Sequence, residues 1–490
     1  MLFTNSVFLP FLLLTFLLWL PAGRTGRKLV LLAASLVFYG AWDLRFLGLL
    51  AAVWLVVFLV PPAIERAADP RRRRLVLVGG IAALVGLLVA FKYLGFFLAA
   101  AEGLARVLGL HVVSVPLRVL LPVGISFYTF QAISYLVDVH WRRVAASRSA
   151  LDTALYVAFF PLVLSGPIEQ GARWLPQLER YQPFRAVQLR DAFERMLLGY
   201  VLKAGIADPL APLCDDMFAR AGGAGSGELL VGAYAYALQI VTDFAGYSLI
   251  ARGAARLFGY EVVNNFEQPY LARSFTEFWR RWHISLSTWI TEYLFKPATS
   301  AVLRRVAKLR LPTVEAEMRL AYPLATVPVM LLVGLWHGAG LQFIVWGGLH
   351  GLFLSFERLF VFGQRAVAKR PRIRNAGDAV RAGLAMVLVF HLVTFAWVFF
   401  RADSMTDALV YLGRLFTAGG WTVQKKLVVI TAISAAATFF IQWVEYRRRD
   451  EWVFRGVPAP VRGLAYAAAL LFCIVFGGAG GRVPFIYFQF

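Results

Sequence analysis

The chain has 490 residues, 60% of them hydrophobic and only 16% charged, and its mean hydropathy is +0.66. That balance excludes an ordinary soluble domain and points to an all-α polytopic membrane protein. The formal net charge of +22 would suit a nucleic-acid partner, but Lys and Arg cluster in short stretches between apolar runs, so no nucleic acid is expected.

Residues 8–20 read as a retained first span, since no basic residue precedes them and no small-residue cleavage site follows soon after. Arg24, Arg27 and Lys28 then mark a cytoplasmic loop, which places the N-terminus outside. Residues 29–39 return outward and 47–60 come back to a basic stretch whose run Arg71 to Arg74 is the strongest cytoplasmic mark in the chain. Residues 75–91 go out, 94–110 are amphipathic and suit the interface, and 117–137 return to Arg142, Arg143 and Arg148.

The middle is less regular. Residues 151–165 end in Ser165-Gly166-Pro167 and suit a re-entrant segment; 195–206 are too short for a comfortable span. Residues 229–258 are long and carry Gln239, Asp243 and Tyr247. Residues 273–300, aromatic and cationic together, suit broken helices buried in protein. After that, 320–336 and 341–362 flank His337, 365–381 form a basic cytoplasmic stretch, and 384–400, 427–443 and 464–476 complete roughly 11–13 apolar runs. With no internal repeat and no linker, residues 1–490 read as one integral domain. Cys214 and Cys473 form no disulfide framework and no zinc spacing, so no metal is expected.

Two stretches carry chemistry. The first, VPVMLLVGLWHGAGLQFIVWGGLHG at 327–351, holds His337 at membrane depth beside Trp336, Gly334, Gly338 and Gly340. An ionisable side chain there is costly and usually faces a cavity, so a general base competes with the plainer reading of a histidine bonded between helices. The second, SFTEFWRRWHISLSTWITEY at 274–293, holds Trp279, Arg280, Arg281, Trp282 and His283. Glu277 and Arg281 are four apart and can pair on one helix face. Tryptophans beside arginines suit an interfacial anchor and also a phosphate-bearing donor. Asp243 is a lone carboxylate in an apolar helix; an ion pair is the ordinary reading, orienting a histidine or binding substrate the sharper one. His350 is a secondary candidate; His111 and His391 are taken as structural. No phosphate loop, dinucleotide fingerprint or serine elbow stands out. A lone histidine base suits acyl transfer from an already activated thioester.

These blocks resemble the membrane-bound O-acyltransferase family, in particular its bacterial alginate O-acetylase branch, related to the D-alanyltransferases of teichoic acids. The resemblance extends through PVGISFYTFQAISYLVDV at 122–139, FFPLVLSGPIE at 159–169, TDFAGYS at 242–248, NNFEQPY at 264–270, WVFFRA at 397–402 and FIYFQF at 485–490. It implies a ring of helices with re-entrant segments around a central funnel, His337 as the essential base and His283 as the second signature residue. The sequence departs from the family pattern after Tyr293, where Leu294 to Ser300 replace the usual proline, leucine and paired glycines.

The expected function is movement of an acyl group, acetyl first, from a cytoplasmic thioester donor (acetyl-CoA or an acyl carrier protein) onto an extracytoplasmic cell-envelope polysaccharide. No bound cofactor is expected. The resemblance implies an extracytoplasmic acyltransferase partner, and the location would be the bacterial inner membrane among its lipids, both termini outside. D-alanyl transfer to a teichoic-acid-like polymer is the alternative within enzymes; a proton-coupled transporter using His337, His283 and Asp243 is the alternative outside them, and it predicts a repeat that the sequence lacks. In the tail Pro484-Phe485-Ile486-Tyr487-Phe488-Gln489-Phe490, Tyr487 is the single hydroxyl among apolar side chains, and similar tails occur in this branch. Tyr487 is therefore expected to carry the acyl group covalently once a neutral histidine takes its proton; simple packing of the tail is the competing reading.

Overall fold

The computed structural model describes residues 1–109, 122–361, 375–448, 456–477 and 485–486. The described residues form helices and connecting turns, with no strand among them. Helices are what a bilayer permits, because each backbone N–H and C=O must find its partner within the segment. Eight of the described helices are long and apolar enough to cross a membrane, and two shorter apolar ones, Phe8–Trp19 and Ala150–Val163, accompany them. The 11–13 runs counted in the sequence thus resolve into eight long helices and a set of short or broken ones. Contacts divide the chain into two compact units: Met1–Ala192 with Ala251–Val263, and Phe193–Ile250 with Asn264–Phe490.

The first unit contains α1 (Phe8–Trp19), α2 (Arg24–Gly40), α3 (Arg45–Arg66), α4 (Pro70–Leu88), α5 (Leu94–Val107), α6 (Ile125–His140), α7 (Ala150–Ala158), α8 (Phe160–Val163) and α9 (Gly171–Glu179). The basic clusters here belong to helix starts more than to loops. Asp69 caps α4 by accepting from the N–H groups of Arg71 and Arg72, with Pro70 in the first helical position, so Arg71 to Arg74 form the opening turn. Arg27 lies 4.0 Å over the Trp19 ring, and Lys28 pairs with buried Asp152. The stretch expected to be re-entrant breaks at Phe159 (φ −51°, ψ 113°), well before Ser165; Pro161 in the first turn of α8 has no N–H to continue the ladder of α7. The 94–110 stretch is helical through Val107 as α5, and the first residues of the 117–137 run lie outside the described residues, as does His111.

The second unit positions the chemistry. α10 (Ala186–Tyr200), which belongs to this unit from Phe193 on, continues through a π-helical segment, Val201–Ala207, into α11 (Asp208–Ala219), giving one 34-residue span, Ala186–Ala219. The expectation that 195–206 are too short for a span is corrected: the helix goes on through Lys203 and Asp208 because they pair with each other at 2.6 Å inside the protein. Next come α12 (Ser226–Leu257), α13 (Phe275–Arg281), α14 (Ile284–Ile290), α15 (Lys296–Val306), α16 (Val314–His337), α17 (Leu341–Phe356), α18 (Ala376–Arg401), α19 (Met405–Thr417), α20 (Lys425–Arg448) and α21 (Ala459–Gly477). Residues 273–300 are broken, as expected, at His283 and by a π segment, Thr291–Phe295. Of the basic stretch 365–381, residues 365–374 lie outside the described residues, as does Arg449.

Candidate active site

His337 does not sit mid-helix. The apolar stretch 327–351 folds as a hairpin in which α16 ends on His337, Gly338 to Gly340 turn the chain, and α17 starts at Leu341. The two helices pack very closely. A Cβ on Gly334 would lie 2.1 Å from the carbonyl oxygen of Phe343, and one on Gly347 would lie 2.2 Å from that of Met330. Only glycine permits this approach. The hairpin buries His337 to 4% exposure and surrounds it with rings: Trp336 at 4.6 Å, Trp346 at 4.9 Å and Phe400 of α18 at 5.0 Å between centroids.

His283 is fully buried at the break between α13 and α14, with left-handed backbone (φ 42°, ψ 56°). Local polar groups hold the break. Ser274 caps α13 by accepting from Glu277 N–H, and the Glu357 carboxylate accepts from the N–H groups of Phe275 and Thr276. On the α14 side, Asn265 clamps the start of the helix: its carbonyl accepts from Ile284 N–H at 3.0 Å, its side-chain oxygen accepts from Ser285 N–H at 3.1 Å, and its amide donates to Ser248 at 3.1 Å. The His283 ring meets Phe244 of α12 edge-on at 4.5 Å and lies 6.5 Å from Trp336. Trp336 therefore adjoins both histidines, which stand 54 positions apart in sequence (337 − 283).

The other expected residues divide. Trp282 packs against Phe266, Phe278 and Trp397, and Trp279 against Phe278, Trp346 and His350. Arg281 is buried; it pairs with Glu277 at 2.6 Å and donates to the carbonyl of Gln268 at 3.1 Å. That geometry makes it a support of the break, while its neighbour Arg280 is exposed. His350 is fully buried within the same aromatic cluster, and neither ring nitrogen has a hydrogen-bond partner there. His391 bonds Tyr234 at 2.8 Å. Asp243 makes the ion pair expected as the ordinary reading, with Lys203 at 2.8 Å, and accepts from the backbone N–H of Ile486 at 2.7 Å. Tyr487 lies outside the described residues, one position beyond Ile486.

Sequence reasoning missed Asn265, Lys203 and Asp208. Asn265 lies inside the NNFEQPY block, but its bonds reach 17 to 20 residues away in both directions. Lys203 and Asp208 are five apart, which no α-helical pairing rule flags; the π segment brings them together.

Comparison with known proteins decides what this aromatic cluster with two histidines belongs to. Residues 142–398 match the model of the MBOAT, membrane-bound O-acyltransferase family. The chain belongs to the membrane-bound O-acyltransferase family. It is 36% identical over 428 residues to the "Probable alginate O-acetylase AlgI" of Azotobacter vinelandii, covering 86% of this chain and 80% of that protein. It is 32% identical over 414 residues to the peptidoglycan O-acetyltransferase of Helicobacter pylori, covering 79% and 73%. It is 25% identical over 287 residues to the teichoic acid D-alanyltransferase of Bacillus subtilis, covering 56% and 68%. The chain is therefore a multi-pass membrane protein and an O-acyltransferase. Family membership removes the transporter reading and leaves the acyl group, donor and acceptor to be argued.

Proposed function

We propose that this O-acyltransferase moves an acetyl group from a cytoplasmic thioester, acetyl-CoA or an acyl carrier protein, to hydroxyls of a cell-envelope polysaccharide outside the bacterial inner membrane. His337 is the general base. It takes the proton of the attacking hydroxyl, whose oxygen bonds to the thioester carbonyl carbon; the C–S bond breaks, and the departing thiolate takes up a proton. His283, beside the same Trp336 ring, orients the acyl group. The observation that carries acetyl over D-alanyl is coverage. Relatives named as O-acetylases or O-acetyltransferases align with 79–100% of the chain at 32–36% identity, against 53–56% at 25–29% for the D-alanyltransferases.

Purified protein given an acetyl thioester, a polysaccharide acceptor and the extracytoplasmic acyltransferase that collects the ester should release free thiol in proportion to acetyl esters formed. Efficient transfer of D-alanyl but not acetyl would overturn the choice of acyl group. Tyr487 is the relay in this reading: its phenol oxygen first accepts the acyl group, and an extracytoplasmic acyltransferase collects the ester. Tyr487→Phe keeps the ring and removes only the hydroxyl. It is expected to lower polymer acetylation by at least about 100-fold, the scale of losing a nucleophile's proton-transfer step. Acetylation at the wild-type rate would mean that the acceptor reaches His337 directly.

The orientation follows from the basic turn of α4. Ala68→Cys, made with Cys214 and Cys473 changed to alanine, should stay unlabelled by an impermeant maleimide added to intact cells, because the Arg71–Arg74 turn is cytoplasmic. Labelling from outside would reverse the orientation and place the N-terminus inside.

A further inference from the structure

Three charged side chains are buried together inside the second unit. Lys203 Nζ lies 2.6 Å from Asp208 and 2.8 Å from Asp243, and their side chains are 1%, 8% and 3% exposed. One cation facing two carboxylates leaves a formal excess of one negative charge, and a buried carboxylate is tolerated when further donors reach it. One donor comes from far along the chain: the Ile486 N–H bonds the second oxygen of Asp243 at 2.7 Å. A backbone N–H bonded to an ionised carboxylate in a dry site is stronger than a neutral bond.

Apolar contacts fix the same two residues. The Phe485 ring stacks on Tyr247 at 4.3 Å and 16°, and lies 5.4 Å from Phe244, which also meets His283 and Phe266. Phe485 and Ile486 are each 2% exposed. The preceding helix, α21, is seated on the π segment that carries Lys203. Phe472 fills the space where a side chain on Gly205 would stand, 2.4 Å from such a Cβ, and Gly477 ends the helix against Ala204. The π turn thus serves two purposes. It brings Lys203 onto Asp208, and it offers the small residues Ala204 and Gly205 to α21.

We propose that Asp243, held by Lys203, is a positioning residue for the segment around Ile486. It anchors that backbone beside the Phe244–His283 contact, one position before Tyr487 in the chain. Asp243 acts through the backbone it holds and not on the acyl group. The inference rests on the relay reading above for its link to transfer, but the anchor itself is measured without any transfer.

The experiment uses the full chain in detergent. Hydrogen exchange at the Ile486 amide is followed by mass spectrometry, in parallel with steady-state transfer from an acetyl thioester to polysaccharide with the extracytoplasmic acyltransferase present. Asp243→Ala should speed exchange at residue 486 by about tenfold or more, the scale of a lost bond to a charged group. It should lower kcat by a similar factor while KM for the thioester stays within about twofold, because donor contacts are untouched. Asp243→Asn keeps an acceptor oxygen and should recover part of both. If Asp243→Ala does not fold, Phe485→Ala removes the stacking partner without touching the buried charges and should also speed exchange at 486. Unchanged exchange at 486 in the variants that fold would overturn the anchor. Faster exchange with unchanged kcat would overturn the positioning role. A wild-type rate for Tyr487→Phe would instead sink the relay reading while leaving the exchange result to stand or fall alone.

Discussion

His337→Ala is expected to slow acyl transfer by about 100- to 10,000-fold, the range for losing a general base. The loss should appear in kcat, because the histidine accepts a proton only as the hydroxyl attacks. Folding should survive. The imidazole sits in a nest of rings from Trp336, Trp346 and Phe400, while the glycine contacts that close the hairpin come from Gly334 and Gly347. The checks are single-turnover transfer from an acetyl thioester and the thermal midpoint of the variant in detergent. Activity within threefold of wild type would remove His337 from the mechanism.

Gly334→Ala should do the reverse and damage the scaffold first. The added Cβ would stand 2.1 Å from the Phe343 carbonyl oxygen, a backbone atom that cannot rotate away. Forcing α16 and α17 apart should cost about 1–3 kcal/mol or more as overpacking. It should also displace His337, three residues on, and a displacement of about 1 Å can cost about 100-fold in rate. Gly348→Ala is the control on the same hairpin. Its Cβ would meet only the tip of Leu331 at 3.3 Å, so the side chain can give way and both readouts should stay near wild type. Equal damage from the two substitutions would show that close backbone packing is not what Gly334 provides.

The helical class and both histidines were legible because each depends on local pattern. Apolar length announces a span, and an ionisable group within one is conspicuous. The Glu277–Arg281 pair followed from spacing alone. The sequence misled where continuity of the helix and continuity of apolar character part company. Residues 327–351 look like one segment but contain a hairpin, because three small residues at 338–340 end α16. Ala186–Ala219 looks interrupted but is one helix, because its charges are satisfied by one another and by Asp243. Arg281 looked like a donor contact on composition as well; its second partner, the Gln268 carbonyl, became visible only when the chain folded back. The same holds for Asn265, whose three bonds reach Ser248, Ile284 and Ser285.

The backbone of His283 has a further consequence. A side chain other than glycine in the left-handed region carries a conformational cost of about 1–3 kcal/mol, which the Asn265 clamp and the caps of α13 must hold in place. Glycine at 283 would relieve that cost but would also empty the fully buried space that the ring fills beside Phe244, so backbone strain and side-chain packing oppose each other at this break.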